Sequence, residues 1–292
     1  MVLYNPKDWF KLIFQFHKSD TFRILIPTML AVGVYTYIII YIEIEIWELK
    51  YKSTTLVHSF LGFIISLLLV FRTNTAYERW WEGRKVWGSL VNNSRNLAIK
   101  INVFLPLDNK ESRKNISVLI GNYPYALKES LRSGVLAVEL EEYSGLSKEE
   151  IFKVEHIPNK IAGLILAEIN QCYKNGEISG DQLIILNEEF RSLTDITGAC
   201  ERIKRTPIPY SYSLFIKKFI FIYVMTMPFG FVSDFHYWAI PIVVFTFYVL
   251  ASLELIAEEI EDPFGLDAND LPTDDIAQRI RVNVKEILLS NK

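Results

Sequence analysis

The residues with the chemistry to do something unusual fall in two charge-rich stretches. From Glu254 to Asp275 the chain places nine acidic residues and no basic one. Such an oxygen-rich run either ligates a hard cation or stays solvated and repels its neighbours. Pro263 and Gly265 inside it end whatever helix enters. From Phe71 to Gly88 the run FRTNTAYERWWEGRKVWG interleaves Tyr77, Trp80, Trp81 and Trp87 with Arg72, Arg79, Arg84 and Lys85. That mixture suits an anchor at a membrane surface. Nothing else suggests catalysis. There is no Walker-type glycine loop, HExxH, GxSxG or helix-opening GxGxxG, and the four histidines (His17, His58, His156, His236) are scattered. Cys172 and Cys200 lack clustered histidines and read as packing residues. The expectation is a protein that is not an enzyme.

The elements that must position these stretches are set by hydropathy. Half of the residues are hydrophobic, high for a soluble chain. They concentrate in four runs, Phe22–Ile42, Thr54–Phe71, Leu214–Val232 and Tyr237–Leu253, each about 17 to 21 residues long. That length lets an α-helix cross the ~30 Å hydrocarbon layer. Buried helices of a large soluble core are the alternative, but four such runs favour insertion. Met1–Asp20 is charged and amphipathic, so no signal peptide is expected there. Lys7, Lys11, Lys18 and Arg23 precede the first run, and Arg72, Arg79, Arg84 and Lys85 follow the second. Arg202, Lys204, Arg205, Lys217 and Lys218 crowd the entry to the third, while Ser233–His236 has no Lys or Arg. The positive-inside rule then puts both termini in the cytosol of a multi-pass cell-membrane protein. The connection Glu43–Ser53 is external and mixes three Glu with Lys50 and Lys52. A net charge of −3 gives no reason to expect a nucleic-acid partner.

About 140 residues separate the second and third runs, too many for a loop, so residues 72–213 must fold as a cytosolic body. Its periodicity is helical over Trp80–Phe104, Ser112–Leu131 (broken at Pro124), Ile157–Lys174 and Gly180–Thr197, with a stop at Asn175-Gly176. No Gly or Pro interrupts Leu67–Glu82, so the second span should continue into the body as one long helix. Strand-like alternation occurs at Tyr41–Trp47, where Ile and Glu alternate. The fold class is all-α: four transmembrane helices per subunit, a cytosolic helical body and an acidic segment over residues 254–292.

The run Phe71–Gly88 resembles the hallmark of the bestrophin family at the same topological position. Gly198–Pro209, GACERIKRTPIP, is similar to the family's second signature, and Ile260–Gly265, IEDPFG, to its third. Three motifs in order around four spans make the resemblance cover nearly the whole chain as a single bestrophin-type unit. It implies a homopentameric ion channel in membrane lipid, with five second-span helices around a pore for small monovalent ions. Chloride and other anions are the family default, with cation selectivity open. In the family the neck is lined at i, i+4 and i+8, the last position eight residues before Arg-Trp-Trp. Counted back from Arg79, those positions are Phe71, Leu67 and Phe63. Steps of four advance about 40° around a helix, so the three share one strip. Periodicity alone equally allows Phe60, Ile64 and Leu68.

The resemblance also implies a second, cytosolic aperture, for which Ile178 is the apolar candidate. A calcium clasp in animal members corresponds to Asp262, Asp267 and Asp270 here, but Leu266, Ala268 and Asn269 stand where that clasp has further acids. The short tail is similar to bacterial members, for which no cofactor is expected to be required. His58 is either a titrating group at the pore mouth or an interfacial histidine without a role. The competing function is a membrane-anchored interaction protein without a pore.

Overall fold

The computed structural model describes residues 20–47, 55–144 and 148–290, and it is all-helical. The stretch ahead of Asp20, with Lys7, Lys11, His17 and Lys18, lies outside the described residues, as do Lys50 and Lys52. The chain divides into two compact units, one of Val2–Arg79 with Pro207–Glu261 and one of Trp80–Thr206 with Asp262–Lys292.

The first unit contains α1 (Asp20–Tyr41), the start of α2 (Leu56–Phe104), α7 (Tyr210–Phe235) and α8 (Ala239–Glu261). Three segments are long and apolar enough to cross a membrane: Thr21–Ile46, Leu56–Phe104 and Tyr210–Glu261, the last comprising α7 and α8. Val32 of α1, Ile65 and Leu69 of α2, Ile220 and Val224 of α7, and Val243 of α8 share one buried cluster. Tyr35 Oη donates to the Met225 carbonyl at 3.0 Å, tying α1 to α7. A short turn, His236–Trp238, joins α7 to α8, and His236 takes φ 51°, the left-handed region that ends the helix. The helix thus runs three residues beyond the expected end of the third span, through Ser233–Phe235.

The alternating stretch Ile42–Ile46 is a π turn that extends α1, closed by the Trp47 N–H donating to the Ile42 carbonyl at 2.9 Å. Alternation of Ile and Glu mimics the period of a strand, yet Glu43 is buried, so the two-residue repeat does not separate a wet face from a dry one.

The second unit holds the rest of α2, then α3 (Lys110–Ser130), α4 (Lys148–Ile151), α5 (Ile157–Lys174), α6 (Gly180–Arg205) and α9 (Thr273–Leu289). As expected from the absence of Gly and Pro, α2 is unbroken from Leu56 to Phe104, and Pro106 ends it. The expected break of α3 at Pro124 does not occur. Proline costs that helix one backbone hydrogen bond, but Ile116, Ile120, Tyr123 and Leu127 are fully buried around it and packing outweighs the loss. Ser179 and Gln182 form a capping box that starts α6. Asn175 closes α5 as expected: Gly176 has φ +76°, and its N–H and that of Glu177 bond back to Tyr173 and Cys172. The core of this unit draws Trp87 and Leu90 from α2, Ile120 and Leu127 from α3, Ile165 from α5, Leu193 from α6, and Ile280 and Val284 from α9.

Candidate functional site

Around α2, burial divides the helix cleanly. Ile65, Leu69, Arg72 and Ala76 are buried, whereas Phe63 (68% exposed), Leu67 (47%) and Phe71 (57%) face away from the subunit's own packing. The alternative strip drifts inward. Phe60 is exposed, but Ile64 and Leu68 are half-buried, and Leu68 packs against the cluster with α7. The residues that remain on an open face through successive turns are therefore Phe63, Leu67 and Phe71, followed by Asn74 and Glu78.

Behind this face lies a group that composition did not single out for a role. Arg72 is 1% exposed, with its guanidinium 2.7 Å from Glu261 Oε2 and 3.5 Å from Glu254 Oε2 on α8. Two turns on, Arg79 Nε donates to the Glu261 carbonyl at 3.0 Å, and Glu261 Oε1 accepts from the Ile208 N–H at 2.6 Å. The start of the acidic run is thus consumed in holding α8 to the helix that bears the open face. The signal was present as a basic residue one position after Phe71, on the opposite side of the helix, with acids in a later segment. Sequence spacing cannot pair groups that are 182 positions apart.

His58 is turned into the packing rather than to the open face. Its ring lies 6.1 Å from Tyr223 and 6.0 Å from Phe231, against Gly230. Ile178 is 5% exposed within the core of its own unit. Its side chain is thus held by the subunit's own packing.

The three motifs meet in the second unit. Gly83 allows α2 to approach the third motif, since a Cβ there would stand 3.1 Å from Pro263 and 3.2 Å from Phe264. Trp80 Nε1 donates to the Asn269 carbonyl at 2.9 Å. From the second motif, Lys204 pairs with Asp262 and Arg202 with Glu82. Asp270, buried, accepts from the Asp267 N–H at 2.7 Å and lies so near Gly265 that a Cβ there would stand 2.6 Å from its Oδ2. Asp262, Asp267 and Asp270 do not form a converging set of carboxylates here. Asp262 is held by a lysine, and Asp270 braces the backbone of its own loop.

Among the described residues, carboxylates that do converge are Glu129, Glu139 and Asp274, whose oxygens lie within 4.8 Å of one another. A cation is already there. Lys128 Nζ lies 3.1 Å from Glu129 and 2.8 Å from Glu139 and bonds Asp274, and Arg132 pairs with Asp274 at 2.8 Å. Burial pulls the Lys128 pKa down, but its bonds to Asp274, Glu139 and Glu129 outweigh that and hold it above the ordinary lysine value. The Arg132 hydrogen bond holds Asp274 down at about 2. Lys128→Ala should remove the charge that keeps three acids together and lower stability by about 3–5 kcal/mol. Thermal unfolding in detergent checks this, with millimolar calcium expected to restore part of the loss by replacing the ammonium. An unchanged melting temperature would mean the triad is not a stabilising element.

Burial pushes the Cys172 thiol up to about 11 and the Cys200 thiol up to about 12. Neither is a ready thiolate.

Comparison with known proteins places the whole chain. The family model of the bacterial and fungal bestrophin protein matches residues 1–286. A voltage-dependent anion channel-forming protein of Nostoc sp. is 38% identical over 230 residues, 77% of this chain and 74% of its own length. A protein of the same description from Escherichia coli K12 is 31% identical over 290 residues, 98% of this chain and 94% of its own. A solved bacterial bestrophin homologue from Klebsiella pneumoniae superposes with a TM-score of 0.84 at 28% identity, covering 92% of this chain and all of that one. With three helical membrane-length segments, the hallmark motifs interlocked, and a family match running nearly end to end, the chain belongs to the bacterial and fungal bestrophin family.

Proposed function

We propose that the chain is one subunit of a homopentameric channel that passes small monovalent ions through a water-shedding neck lined by Phe63, Leu67 and Phe71. Each subunit crosses the cell membrane four times, by α1, the first turns of α2, α7 and α8, with both termini in the cytosol, and the whole chain works as a single bestrophin-type unit. The relatives named as anion channel-forming proteins make anions the default cargo, and a neck without formal charge leaves cation selectivity open.

One observation carries this reading: a face of α2 bearing Phe63, Leu67 and Phe71 is left open by the subunit's own packing. The three side chains span about 12 Å of helix and about 80° of its circumference, enough to present one ring per level to a shared axis. Narrow apolar rings lose water, and an ion that gives up hydration there meets a barrier, so the neck gates by wetting. The same face passes into Asn74 and Glu78. Polar side chains at that edge suit a water-filled lumen better than lipid.

The purified protein should give a mass in detergent of five chains, and planar bilayers containing it should conduct, with the reversal potential in a salt gradient reporting the favoured ion. A monomer would favour the second reading, a membrane-anchored interaction protein, because a pore along a shared axis requires a closed ring. Conductance no higher than blank bilayers would sink the channel.

A further inference from the structure

Within the first unit, the open face of α2 carries one formal charge, that of Glu78, which no described residue neutralises. Glu78 lies seven residues after Phe71, about 20° from it around the helix and about 10 Å further along. It is exposed and forms no ion pair or hydrogen bond among the described residues. Its basic neighbours in the same unit are engaged elsewhere. Arg79 bonds the Glu261 carbonyl, Arg72 is buried between Glu254 and Glu261, and Lys217 is 2.9 Å from Glu258. On α8, Glu254 and Glu261 face Arg72 and Glu258 faces Lys217, whereas Glu78 of α2 faces none of these cations.

We infer that Glu78 is the charge-discriminating residue of the pore: copies from each subunit ring the lumen just past the neck and favour cations over anions there. This rests on the reading that Phe63, Leu67 and Phe71 face the shared axis. The physics is that of a confined ring of like charge. A lumen with low-dielectric walls focuses the field of several carboxylates, enriching the counter-ion and depleting the co-ion where the ion must rehydrate after the neck. Asn74, one turn closer to Phe71 on the same face, offers neutral hydrogen-bonding groups that solvate either sign and so does not compete for the role. The consequence is a conflict inside the pore: an apolar neck indifferent to sign, followed by a filter that opposes the anion cargo expected from the relatives' names. The chain's selectivity is then set by Glu78 and not by the neck.

The test is the cation-to-anion permeability ratio of the assembled channel in bilayers under a potassium chloride gradient. Glu78→Gln should lower that ratio on the order of tenfold, Glu78→Lys should lower it further, and Glu78→Asp should keep it close to the starting value. An unchanged ratio in Glu78→Gln and Glu78→Lys overturns the inference. A second measurement separates its failure from failure of the neck reading. Glu78→Cys exposed to a cationic thiol reagent should lower cation current. If labelling and the charge variants leave currents untouched while alanine at Phe63, Leu67 and Phe71 alters conductance, the neck stands and the Glu78 ring falls. If neither set alters anything, both fall.

Discussion

Replacement of Phe63, Leu67 and Phe71 together by alanine is expected to raise channel conductance or open probability on the order of tenfold, the equivalent of about 1.4 kcal/mol removed from the permeation barrier. Each substitution trades a large apolar side chain for a methyl group, which widens the ring at that level and lets water persist in it. The three positions contribute little to the fold of the subunit, because each is about half exposed or more in the isolated chain. The variant should therefore be made in normal amounts, and its mass in detergent checks that the assembly survives. Single-channel recording in symmetrical salt is the measurement. Currents indistinguishable from the parent protein would mean that this face packs against something other than the lumen.

Removal of Arg72 should strongly lower the stability of the subunit. Its guanidinium is the buried counter-charge to Glu254 and Glu261, and Arg72→Ala leaves Glu254 buried without it. Breaking such a pair from one side costs about 3–5 kcal/mol, because the stranded charge keeps its desolvation penalty and loses its partner. Lower yield and a reduced melting temperature in detergent are expected. The double variant Arg72→Ala with Glu254→Gln should recover part of the loss, since the stranded charge is then gone, and the cycle measures the coupling directly. Arg72→Lys should not substitute fully, because a compact ammonium lacks the planar fork of fixed geometry with which the guanidinium meets Glu254 and Glu261. A melting temperature unaffected by Arg72→Ala would show that the pair is worth nothing to the fold.

Much of the architecture was legible because it rests on local rules. Long apolar runs gave membrane-length helices, Asn175-Gly176 gave a helix stop, and the absence of breakers between Leu67 and Glu82 gave the continuous α2. Pro124 was misread for the same reason. Local propensity and period were outvoted by burial, which the sequence does not display. The candidate site divides along the same line. Phe63, Leu67 and Phe71 were picked out by their distance from Arg79, a one-dimensional signal, and all three lie on an exposed face of α2. The roles of Asp262 and Asp270 were not legible, because their partners depend on how Lys204 and the Gly265 turn are placed in space. Ile178 was chosen as an apolar residue after a helix stop, and an apolar residue there serves a core as readily as a pore.

The ammonium of Lys128 among Glu129, Glu139 and Asp274 makes the helical body its own source of counterion. An acidic triad that relied on a metal would loosen in a chelator and tighten as divalent levels rose. With the balancing charge covalently tethered, the body keeps its shape whatever the divalent content of the surrounding solution, and any response of the channel to such ions has to originate elsewhere in the molecule.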